Sequence, residues 1–170
     1  YITDISPLPQ FMAILILALT GIILLYIVYE RTTFSLWELV AIVPLGLNPY
    51  FLECISYKFD APFMALSILA AIAPLLLRNG ESWEYILAVT IGNILVCTTY
   101  QAAVGVFPMV VILLSLRMCL KNRQWKEIFR FVFNSIIGFV IGVIFFRQVI
   151  MIPADDYVSN ALPSLRNLFP

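Results

Sequence analysis

The sequence predicts an all-α fold, a polytopic transmembrane bundle of about six helices. Hydrophobic residues make up 62% of the 170 residues and charged residues only 12%, which is more apolar than a soluble domain can be. Several runs approach the ~20 apolar residues that a spanning helix needs. The regular alternation that is typical of barrel strands is not seen. We expect one transmembrane domain over residues 1–170, with spans at about 11–29, 34–52, 61–77, 83–97, 102–118 and 128–150.

Local signals mark the first three predicted spans. The first has no charged residue and lacks the basic start and cleavage site of a secretory signal, so we expect it to be retained. Ser35 and Glu38 have the spacing of a capping box at the start of the second, and Pro44 predicts a kink within it. The third follows Asp60 and closes before Gly80, which suits a helix C-terminus.

The second half of the chain predicts three more spans. The apolar stretch from 83 to 116 is too long for one comfortable span, and the polar run Cys97–Gln101 divides it into two. In the last span, Gly138 and Gly142 have the GxxxG spacing that allows another helix to approach closely.

The basic residues predict the orientation, because Lys and Arg collect in short cytoplasmic loops. With six spans, one side holds seven of the ten: Arg31, Arg78, Arg117, Lys121, Arg123, Lys126 and Arg130. A single span over 83–116 would give six against four instead. The six-span arrangement is favoured, and it places both chain ends outside the cytoplasm.

The segment from residue 48 to residue 67 puts Glu53, Lys58 and Asp60 into a short polar break between two apolar runs. A carboxylate there is suited to take a proton from a sugar hydroxyl, and Lys58 to contact a lipid-linked phosphate. Structural roles compete with both ideas. Asp60, which is followed by Ala61 and Pro62, is a good helix cap. Glu53 and Lys58 are suited to form a salt bridge with each other.

The remaining charges and the missing histidine limit the chemistry. The basic segment from 117 to 130 is able to attract anionic lipid head groups, although positive-inside topology alone explains it and is the favoured interpretation. Without histidine, a Ser-His triad and any His-ligated metal site are excluded within this chain. No nucleotide-binding motif is found, and no nucleic-acid partner is expected.

Several runs together resemble a known family. They are Asn48-Pro49-Tyr50-Phe51-Leu52-Glu53, Ser56-Tyr57-Lys58-Phe59-Asp60, Met64-Ala65-Leu66-Ser67, Asp4-Ile5-Ser6-Pro7-Leu8-Pro9-Gln10 and Tyr100-Gln101-Ala102. In these runs and in the charged connection before the last span, the chain resembles the type II glucosyltransferases of bacterial O-antigen modification and serotype conversion. The resemblance covers most of the sequence.

That resemblance implies a multi-pass enzyme of the bacterial cytoplasmic (inner) membrane that uses a polyprenyl-phosphate-linked sugar as donor. Its acceptor would be a surface glycan such as O-antigen, and its active face periplasmic. Carried onto this sequence, Asp60 and Glu53 become the candidates for acceptor activation or orientation, and Lys58 the candidate for the donor phosphate. Tyr57 and Tyr100 would stack on sugar, and Asn48 and Gln101 would complete the substrate site. The resemblance leaves the use of a divalent metal open.

One departure from the family pattern affects the site. The chain opens at Tyr1 with only Asp4 before its first long run, where such enzymes usually carry an acidic motif in a first outer loop. This predicts a fragment of a larger bundle, in which Glu53 and Asp60 would support a catalytic base that lies elsewhere. A transporter or flippase for a lipid-linked glycan or another polar solute is the alternative function, and a non-catalytic assembly subunit is a third.

Overall fold

The computed structural model describes residues 7–47, 49–57 and 59–150. These residues form helices joined by short turns and include no β-strand, which confirms the all-α prediction. A 3₁₀ turn (Ala73–Leu77) extends the fourth helix, another (Gln101–Gly105) precedes the sixth, and a π-helical turn (Phe146–Ile150) ends the last. The α-helices are α1 (Leu8–Tyr29), α2 (Leu36–Leu47), α3 (Pro49–Ser56), α4 (Ala61–Ile72), α5 (Ser82–Thr99), α6 (Val106–Leu120) and α7 (Trp125–Phe145).

A three-residue ion cluster marks one end of the bundle. Glu30, directly after α1, accepts hydrogen bonds from Arg78 Nη2 at 2.7 Å and from Lys121 Nζ at 3.2 Å. Arg78 follows the α4 segment and Lys121 follows α6, so the C-terminal ends of three helices meet here. We call this the basic end, because the seven basic residues from Arg31 to Arg130 that the sequence assigned to one side all belong to it.

Tyr100 marks the opposite end, which we call the Tyr100 end. Helix α5 stops at Thr99, and the 3₁₀ turn that starts at Gln101 leads the chain back through α6 to Lys121 at the basic end. The polar break predicted between residues 97 and 101 therefore separates two antiparallel helices. This is also why Arg78 and Lys121, 43 positions apart, reach the same glutamate.

Within the described part of the chain, three helical segments are long and apolar enough to cross a membrane: Leu8–Tyr29, Gln101–Leu120 and Trp125–Ile150. Their outward faces carry large apolar side chains, such as Leu15, Met109 and Phe129, as expected for helices that contact lipid. The protein is therefore a membrane protein. Leu36–Leu47 and Ala61–Leu77 are shorter apolar helices, so the count of about six spans stays a prediction.

The most extensive helix packing among the described residues is between α5 and α7. Gly138 and Gly142 are buried on α7, and a Cβ added at Gly138 would lie 2.8 Å from Cβ of Val89 on α5. The close approach predicted from the GxxxG spacing is thus confirmed, and α5 is the helix that approaches. Asn93 adds a polar contact, because its Nδ2 donates to the carbonyl oxygen of Phe139 at 3.0 Å.

The second predicted span, 34–52, is correct at its start but ends earlier in the structure. The Glu38 half of the capping box at its start is confirmed, because the Ser35 N–H donates to Glu38 Oε2 at 2.8 Å. The helix stops at Leu47, however, and a separate helix α3 begins at Pro49, where a missing N–H costs nothing. Glu53 therefore lies on a helix and not in a non-helical break, because Phe51 and Cys54, three residues apart, bury one face of α3.

Candidate active site

Apolar packing brings both polar segments of interest to the Tyr100 end. Phe51 and Cys54 of α3 pack with Ala61 at the start of α4 and with Ala13 on α1, and Tyr100 packs against this cluster. The Tyr100 hydroxyl lies 3.9 Å from Cys54 Sγ. The segment that contains Glu53, Tyr57 and Asp60 is therefore next to Tyr100 and Gln101, as the predicted topology requires.

The predicted site residues within the described ranges differ in burial. The side chains of Glu53, Tyr57, Asp60 and Gln101 are exposed, and Tyr100 is half-buried. Asn48 and Lys58, which complete the predicted set, lie outside the described residues. The two carboxylates thus lie on the surface of this end of the bundle, on either side of the turn that joins α3 to α4.

Asp60 occupies the N-cap position of α4 but does not cap it with its side chain. The residue has helical backbone angles (φ −90°, ψ −21°), whereas a capping residue is usually extended, and its carboxylate makes no capping hydrogen bond. Backbone groups hold the turn instead: the N–H groups of Asp60 and Ala61 donate to the Tyr57 carbonyl at 3.2 and 2.9 Å. The competing interpretation of Asp60 as a side-chain cap is therefore wrong, and the carboxylate is available for other chemistry.

Tyr100 is positioned by the end of α5. Its backbone is extended (φ −152°, ψ 96°), which stops the helix, and its N–H still donates to the Val96 carbonyl at 2.9 Å. The ring packs against the α3–α4 cluster, so one face of it is fixed. Gln101 follows as the first residue of the 3₁₀ turn, with its amide exposed.

Gln10 is a polar residue at this end that sequence reasoning did not assign to the site. It lies in the first turn of α1, one turn before the buried Ala13. Its Oε1 atom is buried and has no hydrogen-bond partner among the described residues. Such a group is costly unless it is satisfied, so it is suited to accept a hydrogen bond from a ligand hydroxyl. The sequence signal for this role is that Gln10 is a polar side chain in the first turn of an otherwise apolar helix.

The chemistry that this end offers is that of carboxylates, aromatic rings and amides. Carboxylates exchange protons with hydroxyl groups, aromatic rings stack on sugar faces, and amides hydrogen-bond to hydroxyls. Within the described ranges, no group of three or more Asp, Glu or Cys side chains is arranged to hold a metal ion. The arrangement suits the recognition and deprotonation of a polyhydroxylated molecule.

Comparison with known proteins gives one match. The family model described as "Glucosyl transferase GtrII" matches residues 1–168 of the 170. No curated protein and no solved structure matches the chain.

Proposed function

The chain belongs to the GtrII glucosyl transferase family, whose activity is glucosyl transfer in O-antigen modification, and we propose that it works at the Tyr100 end with a polyprenyl-phosphate sugar as donor. The family match supports transfer and not the transporter alternative. The acceptor in this proposal is a surface glycan such as O-antigen. The observation that carries the location of the site is the packing of Tyr100 against Cys54, which unites the two polar segments.

In the proposed reaction a hydroxyl oxygen of the acceptor attacks the anomeric carbon of the donor sugar. The bond between that carbon and the phosphate oxygen breaks, polyprenyl phosphate leaves with the electron pair, and the hydroxyl proton passes to a carboxylate. We assign this proton to Asp60, because its side chain is exposed and makes no capping bond. Glu53, exposed on the neighbouring helix, would orient the acceptor.

The other assignments follow from chemical type and place. Tyr57 and Tyr100 are proposed to stack on the sugar rings, and Gln101 to hydrogen-bond to their hydroxyls. The buried oxygen of Gln10 is a further acceptor for a sugar hydroxyl. Among the residues outside the described ranges, Lys58 is assigned to the donor phosphate and Asn48 to the sugar.

We propose a bacterial inner-membrane location, several passes and a periplasmic Tyr100 end. The support is the charge distribution: the seven basic residues of the basic end include Arg31, Arg78, Arg117 and Lys121, whereas Arg147 is the basic side chain near the other end within the described part of the chain. Such asymmetry is typical of a cytoplasmic basic end. Polyprenyl-linked donors then reach the site from the outer leaflet.

The proposal is tested by the glycan itself. In cells that depend on this protein for the modification, Asp60→Asn should lower the rate of glucosyl addition by roughly 10²–10⁴-fold, because it removes the proton acceptor. Glu53→Gln should have a smaller effect. Glu81→Gln is the matched control, since Glu81 is an exposed glutamate at the basic end and its side chain makes no contact with the site.

The readout is the mass and linkage of the surface glycan, with the amount of each variant in the membrane matched by immunoblot. Full modification by Asp60→Asn would remove Asp60 from the mechanism. Loss of modification in Glu81→Gln as well would mean that the assay reports membrane insertion and not chemistry.

A further inference from the structure

A cavity of about 200 Å³ lies at the basic end, on the side of the molecule opposite to the proposed glycosyl-transfer site. The N-terminal turns of α5 and α7 and the loop before α5 enclose it. One ordered water needs roughly 10–15 Å³ on this scale, so the cavity is large enough for a solvated polar group. Its charged and amide lining consists of Glu30, Arg78, Arg123, Glu127, Arg130 and Asn79, with Asn134 deeper.

The carboxylates of the lining are already neutralised. Glu30 is bonded to Arg78, whose side chain is only 12% exposed, and to Lys121. Partial burial acts to raise the pKa of Glu30, but the hydrogen bonds and charges of Lys121 and Arg78 together outweigh it and hold the pKa below its ordinary value. Glu127 lies 3.7 Å from Arg123 in an exposed pair.

Positive charge and hydrogen-bonding capacity therefore remain in the cavity. Arg130 makes no ion pair with any residue in the described ranges. Asn134 lies one turn further along the same face of α7, and its half-buried amide also lacks a hydrogen bond within that part of the chain. Neither α5 nor α7 has a side-chain cap at its start, and each carries an acidic residue in its first turn, Glu84 in α5 and Glu127 in α7. Arg130 is thus the basic side chain of the lining that has no acidic partner within the described ranges.

The positions of the tryptophan residues indicate the depth of the cavity relative to the bilayer. All three tryptophans of the chain, Trp37, Trp83 and Trp125, lie in the first turns of helices that start at the basic end, and all three are well exposed. Exposed tryptophan is typical of the level of the lipid head groups. Trp83 and Trp125 begin the two helices that enclose the cavity, so it opens where phospholipid phosphates lie.

We propose that this cavity binds the phosphate of an anionic phospholipid head group. Arg130 and Asn134 contact the phosphate, while Arg123 stays paired with Glu127 at the rim. Basic pockets between transmembrane helices on the cytoplasmic side commonly hold such head groups. The bound lipid would join α5 to α7 at the end far from the proposed transfer site.

The test measures lipid retention by the purified protein. Native mass spectrometry in detergent, with added dioleoyl phosphatidylglycerol or dioleoyl phosphatidylcholine at equal concentration, should show preferential retention of phosphatidylglycerol. Arg130→Gln should weaken that binding about tenfold, because a charge-assisted bond is lost. Lys126→Gln is the matched control: it removes the same charge from the same helix, one turn earlier, and Lys126 does not line the cavity.

Asn134→Ala is a second variant, and we expect it to weaken phosphatidylglycerol binding severalfold. Equal retention by Arg130→Gln and Lys126→Gln, or equal retention of the two lipids by the wild type, would overturn the proposal. Competition by inorganic phosphate at the lipid's own concentration would overturn the lipid assignment and leave a site for free phosphate. Thermal melting in phosphatidylcholine alone checks that each variant is folded.

Discussion

Replacing Gly138 by alanine tests the packing of α5 against α7 directly. The added Cβ would lie 2.8 Å from Val89 Cβ and 2.9 Å from the carbonyl oxygen of Ile86. Ordinary contacts start at about 3.4 Å, so the helices would have to separate by several tenths of an ångström. One of the two obstacles is backbone and the other is a β-branched side chain, and neither is able to rotate away.

Two free-energy terms of opposite sign determine how much stability Gly138→Ala should lose. Overpacking of a close contact costs about 1–3 kcal/mol, whereas alanine in place of glycine in a helix gains up to about 1 kcal/mol. Gly105→Ala is the control, because a Cβ at Gly105 meets nothing within 4 Å and its φ of −67° suits alanine. We expect Gly138→Ala to be about 1–3 kcal/mol less stable than Gly105→Ala, since only the Cβ added at Gly138 meets a neighbouring helix.

The assay is unfolding in dodecylmaltoside micelles with increasing sodium dodecyl sulfate, followed by tryptophan fluorescence. Trp83 and Trp125 begin the two helices that would separate, so the signal reports on them. Gly142→Ala should give an intermediate loss, because its Cβ would lie 3.0 Å from the Asn93 side chain. Equal stability of Gly138→Ala and Gly105→Ala would refute the close approach of α5 and α7.

Three further predictions concern the two ends and the middle of the bundle. Cysteine introduced at Lys58 should react with an impermeant maleimide in spheroplasts, whereas the exposed native Cys119 should react only after the membrane is opened; the reverse pattern would invert the proposed orientation. Glu30→Gln should lower stability by about 1 kcal/mol at neutral pH through its two surface ion pairs. Because the pKa of Glu30 is lowered in the folded state, its contribution is complete above its ordinary value of 4.5 and is lost as the pH falls through the lowered pKa, so the micellar unfolding midpoints of the two proteins should converge in acid. Asn93→Leu should destabilise by about 1 kcal/mol in the same unfolding assay, with Thr98→Val as the exposed control, and an unchanged midpoint would mean that the bond to Phe139 contributes nothing.

Features encoded by nearby residues could be predicted from the sequence. The hydrogen bond from the Ser35 N–H to the Glu38 carboxylate depends on a fixed local spacing, and it forms as expected. The close approach at Gly138 follows from the absence of a side chain on one helix face. The separate helix α3 was missed, because its polar residues Glu53 and Ser56 suggested a break, while its buried face depends on packing against α1 and α4.

Features that depend on distant residues could not be predicted. The basic segment from 117 to 130 appeared as a linear run of charge, and nothing local indicates that Arg78 and Glu30 complete a cavity beside it. Asn134 lines that cavity, whereas Asn93 on α5 donates a hydrogen bond to the Phe139 carbonyl of α7. The rotation of α7 against α5 decides which of the two asparagine amides forms a hydrogen bond between the helices. The sequence pattern does not specify this angle closely.

The α5–α7 contact connects the geometry of the two ends. Its polar bonds run from the buried Tyr85–Ser135 pair near the basic end, at 2.7 Å, to Asn93 with Phe139. Because Ser135 Oγ already donates to the Phe131 carbonyl, the Tyr85 hydroxyl must donate to Ser135, so this pair has a single hydrogen-bond direction. Between this pair and the bond of Asn93 lies the bond from Thr90 Oγ1 to the Gly138 carbonyl oxygen, at 3.2 Å. Three hydrogen bonds and the two buried glycines of α7 hold α5 against α7, and α5 ends just before Tyr100. A change in this contact should therefore move Tyr100 relative to Asp60 and lower glucosyl transfer in Gly138→Ala, although Gly138 lies far from the proposed site.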